Sequence, residues 1–139
     1  MTRPDLAPAC LMTIHAHPDD EASKGAPTLA SYHRRGVSTV LVCCTGGEEG
    51  DLQNPGLREP GGPYFGLTRA EERAAIIAAR PGELQRSAEA IGFDHVEMLG
   101  YRDSGMVDTA PNEHPACFHQ APMDEAVGRL VGLIRRHRP

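Results

Sequence analysis

Residues 15–21 read HAHPDDE, two imidazoles and three carboxylates crowded against the end of the apolar run Leu11, Met12 and Ile14. An imidazole and a carboxylate offered from one stiff turn, with Pro18 limiting the backbone, make half of a zinc site, because zinc accepts histidine nitrogen and aspartate oxygen. A catalytic zinc keeps one position open for water, and another carboxylate beside the ligands can take that water's proton. Ligands and base thus fit within one motif. The same residues suit a plainer role, in which Asp19, Asp20 and Glu21 open a helix and oppose its dipole. His15 is ambiguous, since residues two apart on a strand face the same way.

Such a motif needs elements to hold it. Three β-type runs, 11–16, 37–45 and 95–100, alternate with helical stretches, and none alternates cleanly between polar and apolar residues. That is the pattern of a buried parallel sheet. A helix is expected over 24–35, starting near Pro27 and stopped by Gly36. After a Gly- and Pro-rich loop at 46–66, Thr68 and Glu71 form a capping box. Pro81 and Gly82 then predict a break, giving helices over 68–79 and 81–91. A further loop at 101–121 leads to an amphipathic helix at 123–137. This order implies right-handed crossovers and an α/β fold, three-layered and Rossmann-like, with a mainly parallel sheet. Ligands in such folds gather at the carboxyl ends of the strands, and the polar loops after Ala16, Thr45 and Gly100 all fall on that edge. The last helix runs into His137, Arg138 and Pro139 where another strand is expected, so the sheet reads as incomplete at its C-terminal end.

A chain of 139 residues with 40% hydrophobic content suits one globular domain. A formal charge of −5 offers no basic field for nucleic acid or an anionic membrane, so a small neutral or polar substrate is the better expectation. No stretch approaches the roughly 18 apolar residues of a membrane span, and residues 1–9 lack a signal-peptide core, which points to the cytoplasm. The cysteines Cys10, Cys43, Cys44 and Cys117 show no C-x-x-C spacing and read as reduced and structural. No G-x-G-x-x-G follows the first strand, which disfavours a dinucleotide site.

AHPDDE after an apolar strand resembles the signature of the LmbE-like or PIG-L family of zinc-dependent N-deacetylases, which includes the mycothiol enzymes. TGGEEGDLQNP at 45–55, Arg80, Gly82, Glu83 and Leu84 before AEAIG, and GYRDSGM at 100–106 follow in the family's order. The resemblance covers nearly the whole chain, read as the amino-terminal portion of a single domain at 1–139. It implies His17 and Asp20 as zinc ligands and Asp19 as the base that deprotonates the attacking water, with Glu21 behind them or at the helix start. It also implies Arg80 and Asp103 as groups that face a sugar, although a surface ion pair and a loop cap are their plainer alternatives. Lys24 resembles the residue of the S-conjugate amidases, and GYRDSGM is closer to the deacetylases. The family's third zinc ligand comes from an HPDH-like segment that is not in this chain, so Zn2+ is expected to draw that ligand from beyond Pro139. His114, followed by Pro115 without the acids, does not replace it.

The function implied is zinc-dependent hydrolysis of an N-acyl amide on a glucosaminyl-type substrate, in the manner of a mycothiol S-conjugate amidase. A sugar N-deacetylase is the alternative within the class, and a non-catalytic α/β binding module without a complete metal site is the alternative outside it. The expected partners are the amino-sugar or thiol-conjugate substrate, the remaining C-terminal part of the same protein, and further copies of it in a homo-oligomer.

Overall fold

The structure, a computed structural model, describes residues 9–139. Three parallel strands, β1 (Cys10–His15), β2 (Ser38–Thr45) and β3 (His95–Tyr101), stand in the order β1-β2-β3. The middle strand carries the core because both its neighbours and both its faces are covered. Val40, Val42 and Cys44 meet Leu99, Tyr101 and Leu133 on one face, while Leu41 and Cys43 meet Leu84 on the other. The absence of polar–apolar alternation in the sequence of β2 follows from this two-sided burial.

The two layers flanking the sheet come from different connections. One turn of helix, α1 (Asp20–Ser23), and α2 (Ala26–His33) link β1 to β2, with Pro27 in the first turn of α2 where its missing N–H costs nothing. The helix expected over 24–35 is thus shorter at both ends. The chain next forms α3 (Arg69–Ile91), whose Thr68–Glu71 capping box is present with both reciprocal bonds. Leu84 places α3 against the Leu41 and Cys43 face, whereas α4 (Met123–His137) lays Leu133 on the opposite face. The result is three layers.

One expectation fails. Helix α3 runs unbroken through Pro81 for 23 residues instead of dividing there. Pro81 lies on the exposed side, as does Ile77, whose carbonyl lacks the intrahelical donor that residue 81 would otherwise supply. Leu84 and Ala88 beyond it are buried, so tertiary packing holds the second half of the helix in line.

At the amino ends of the strands, fully buried Thr39 donates its N–H to Asp94 Oδ2 at 2.8 Å and its hydroxyl to the Gly92 carbonyl at 2.7 Å. Burial raises the Asp94 carboxyl, but the hydrogen bonds from Thr39 and the charge of His33 outweigh it and hold it below the usual 3.8. A carboxylate with a depressed folded value adds stability above its unfolded value and loses it as pH falls through the folded one. Asp94→Ala, which leaves the Thr39 N–H without an acceptor, is expected to cost about 1–3 kcal/mol at neutral pH. Thermal unfolding at pH 7 and near pH 2.5 checks this: the gap between wild type and variant should narrow in acid.

Candidate active site

The strands end where the expected chemistry begins. After β1 the chain turns through Pro18 into Asp19, which adopts φ 107° and ψ −26°. That left-handed backbone is rare for a residue with a side chain and costs on the order of 1–3 kcal/mol, so surrounding contacts must hold it. Two do so directly. Asp19 donates its N–H to Glu21 Oε2 at 2.9 Å, and Arg80 Nη1 donates to the Pro18 carbonyl at 2.9 Å while lying 3.4 Å from Asp19 Oδ2. The Asp19 side chain itself is 71% exposed and free to meet a ligand.

His17 Nδ1 lies 3.6 Å from Asp20 Oδ2, and His17 Nε2 lies 3.4 Å from Asp103 Oδ1. Zinc bonds of about 2.0–2.1 Å set two tetrahedral ligands roughly 3.4 Å apart, so the His17–Asp20 pair has the separation and the donor chemistry of two zinc ligands. No group of three or more metal-binding side chains occurs among the described residues. They fit half of a zinc shell. Burial pushes the Asp20 carboxyl up, yet hydrogen bonds from Lys24 and the His17 backbone, with the charges of Lys24 and His17, bring it below the ordinary value of 3.8. Asp20 is therefore a carboxylate throughout the neutral range.

The loops after β2 and β3 brace this group. Asp103, 5% exposed, accepts the Glu49 N–H on Oδ2 at 3.2 Å and the Gly105 N–H on Oδ1 at 3.0 Å. Its own N–H donates to Glu48 Oε2 at 2.8 Å. The side chain of Glu49 is buried between Arg102, whose Nη2 donates at 2.5 Å, and Arg73. Asp103 is thereby fixed against the far nitrogen of His17, the arrangement that sets the orientation of a ligand imidazole.

A cleft of about 200 Å³ opens among His17, Asp19, Arg80 and Asp103, with Gly47, Glu49, Gly50, Gly105 and Met106 completing its wall. A neighbouring hollow of about 280 Å³ shares Gly50, but its Arg58 and Glu72 are spent on each other. The chemistry gathers in the smaller cleft.

A model of the PIG-L family, described as GlcNAc-PI de-N-acetylase, matches residues 12–139. The chain belongs to the PIG-L family. It is 41% identical over 133 residues to the 1D-myo-inositol 2-acetamido-2-deoxy-alpha-D-glucopyranoside deacetylase of Acidothermus cellulolyticus, covering 93% of this chain and 43% of that protein. It is 43% identical over 131 residues to the mycothiol S-conjugate amidase of Streptomyces coelicolor, covering 93% of this chain and 41% of that protein. The chain thus spans less than half the length of these relatives. In fold it is similar to the N,N'-diacetylchitobiose deacetylase of Pyrococcus horikoshii, with a TM-score of 0.64 at 22% identity over 94% of this chain and 38% of that one. It is equally similar to GalB, a 4-carboxy-2-hydroxymuconate hydratase of Pseudomonas putida, with a TM-score of 0.62 at 21% identity over 94% of this chain and 44% of that one. One fold carrying a hydrolase and a hydratase shows that reaction must be argued from the site.

Of the residues singled out in this PIG-L chain, His17, Asp19, Arg80 and Asp103 line the cleft together. Asp20 adjoins it through His17, and the Lys24 ammonium rests on Asp20 Oδ1 instead of reaching into the cleft. His15 stays in β1 with its Nε2 buried and without a partner, and His114 turns its Nδ1 to the Ala116 N–H. Neither lines the cleft. Glu48, Glu49 and Arg102 stand inside the motifs TGGEEGDLQNP and GYRDSGM without a role legible in the sequence; two adjacent acids between glycines, directly after a buried strand, are the one signal of it. The cysteines are all free, as expected, and burial pushes the Cys43 thiol up to about 12.

The glycines of residues 45–50 also have a spatial reason. A Cβ on Gly50 would stand 1.9 Å from Arg80 Nη2, and one on Gly47 would stand 2.8 Å from Arg80 Nη1. Gly50→Ala must therefore push the guanidinium off the Pro18 carbonyl. Since the tip of a long side chain moves cheaply, the fold should survive, while displacement of the group that steadies Asp19 is expected to lower kcat by about 10²-fold. Wild-type kcat with an unchanged melting temperature would show that Arg80 has no part in the reaction.

Proposed function

We propose that the protein carrying this chain hydrolyses an N-acyl amide on a glucosaminyl-type substrate with the aid of zinc. The observation that carries this reading is the convergence of His17, Asp19, Arg80 and Asp103 on one cleft, with Asp20 at ligand distance from His17. His17 Nδ1 and Asp20 Oδ2 are proposed to hold the metal, with a third protein donor from outside the described residues. Bound there, zinc supplies a Lewis acid for the amide carbonyl and lowers the pKa of water. Asp19 accepts the proton of the attacking water from its exposed position at the cleft, steadied by Arg80. The water oxygen adds to the amide carbon, and collapse of the tetrahedral species breaks the C–N bond as Asp19 returns its proton to the nitrogen, releasing the amine and a carboxylate. Asp103 orients the His17 ring and, with Arg80, offers an acceptor and a donor to sugar hydroxyls.

Zinc content and turnover of an N-acetyl-glucosaminyl-inositol and of a thioether conjugate of the corresponding thiol test the reading together. Absence of metal and of turnover with either substrate would leave a binding module instead. Between amidase and deacetylase, Lys24 is proposed to favour the amidase. With a cation on Asp20, its ammonium is released to meet a polar part of an extended substrate. Lys24→Ser is expected to weaken turnover of the large conjugate more than that of the small N-acetyl glucosaminide, and equal losses would assign Lys24 a structural role.

A further inference from the structure

Glu21 is 1% exposed, and as a carboxylate it can only accept hydrogen bonds. Both its oxygens are engaged, Oε2 by the Asp19 N–H at 2.9 Å and Oε1 by the Ser87 hydroxyl at 2.6 Å. The one-turn helix α1 has little dipole to oppose, and this buried side chain points away from solvent, so the role of an acidic helix start does not account for it. We propose that Glu21 is a positioning residue: its buried carboxylate, anchored to Ser87 of α3, holds the left-handed backbone of Asp19 so that the Asp19 side chain faces the cleft.

The need for such a device follows from the conformation. A φ of 107° is glycine territory, but glycine carries no carboxylate, so a base placed there must be held by contacts to its backbone. The exposed Asp19 side chain has no packing of its own to do this. Two residues of α3 supply the hold from behind. Arg80 grips the Pro18 carbonyl, and Ser87 grips the side chain that grips the Asp19 amide. They stand about two turns apart on the stripe that also buries Leu84 and Ala88, so both face the sheet edge. A break of α3 at Pro81 would separate these anchors. The continuity of the helix is thus part of the device.

This inference rests on Asp19 acting as the base. The test uses the protein carrying this chain with Glu21→Leu, Glu21→Gln and Ser87→Ala. Glu21→Leu removes the acceptor. Glu21→Gln keeps both bonds, since its amide oxygen accepts from Asp19 and its amide nitrogen donates to the Ser87 hydroxyl. Ser87→Ala frees the anchored end without touching the loop. Expected for Glu21→Leu are a kcat about 10²-fold lower with unchanged KM and metal content, and an Asp19 amide that exchanges with deuterium faster than in wild type. Ser87→Ala should shift both readouts the same way by less, and Glu21→Gln should stay near wild type in both. Variants that melt earlier yet keep wild-type kcat and Asp19 amide protection below their melting temperatures would reduce Glu21 to a structural group and overturn the proposal. Should Glu21→Leu fail to fold, Ser87→Ala decides on the same two readouts. Asp19→Asn separates the two levels: full turnover in it overturns the base and the positioning together, whereas a slow Asp19→Asn beside a full-rate Ser87→Ala overturns the positioning alone.

Discussion

Asp19→Asn is expected to keep the metal of the wild-type protein and lose about 10²- to 10⁴-fold in kcat, the range typical for removal of a general base. The amide matches the carboxylate in shape, so the Arg80 contact to the Asp19 side chain keeps an oxygen to accept it. The bond from the Asp19 N–H to Glu21 involves the backbone alone and is unaffected. What is lost is the capacity to take a proton. Because Asp19 stands at the cleft while the His17 and Asp20 donors converge beside it, metal content should not follow the loss in rate. Metal analysis and steady-state kinetics on the same preparation check this. Turnover at the wild-type rate with metal bound would remove Asp19 from the proton transfer and pass the role to a group outside these residues.

The parts of the fold legible in the sequence are those fixed by short-range physics. The unalternating apolar run of β2 reported burial on two faces, the Thr68–Glu71 pair reported a helix start, and the period of 123–137 gave α4 with the bounds the structure shows. Pro81 was misread because the local penalty is real but not decisive. Ile77, whose carbonyl is freed, is exposed, and Leu84 and Ala88 beyond the proline are buried. The cost is local and the compensation is tertiary, which no window around residue 81 contains.

The site divides in the same way. HAHPDDE displayed its donors because they lie within one turn of chain. The brace around Asp103 did not show, since Glu48, Glu49, Arg73 and Arg102 meet only when the loops after β2 and β3 close on each other. Ser87 gave no sign at all, being an ordinary serine in a helix until α3 packs it against Glu21. The Lys24 ammonium, proposed to meet substrate once a cation occupies Asp20, rests on the Asp20 carboxylate one helical turn back. Asp20 therefore carries two prospective cations, Lys24 and the metal.

That competition shapes the result expected of the ligand variants. His17→Ala and Asp20→Ala should each strip the metal, with affinity falling by more than about 10²-fold, since loss of a mere hydrogen-bonding partner behind a ligand already costs about 10- to 100-fold. The two differ in what they leave behind. Without His17, Asp20 still has Lys24 on Oδ1 and the residue-17 backbone N–H on Oδ2, so its charge stays compensated and the loop should keep its stability. Without Asp20, the His17 N–H and the Lys24 ammonium lose their acceptor together, and the turn that presents Asp19 is expected to loosen as well. Chelator competition and thermal unfolding with and without added zinc separate these effects: zinc should raise the melting temperature of the wild-type protein and of neither variant. Because ligands must be deprotonated to bind, the zinc-dependent shift should also fade as pH falls. The Lys24 and His17 contacts outweigh burial and hold Asp20 below the ordinary carboxylate value, so Asp20 stays available as a ligand across the neutral range. One equivalent of zinc held tightly in both variants would place the metal elsewhere and dissolve the assignment of His17 and Asp20.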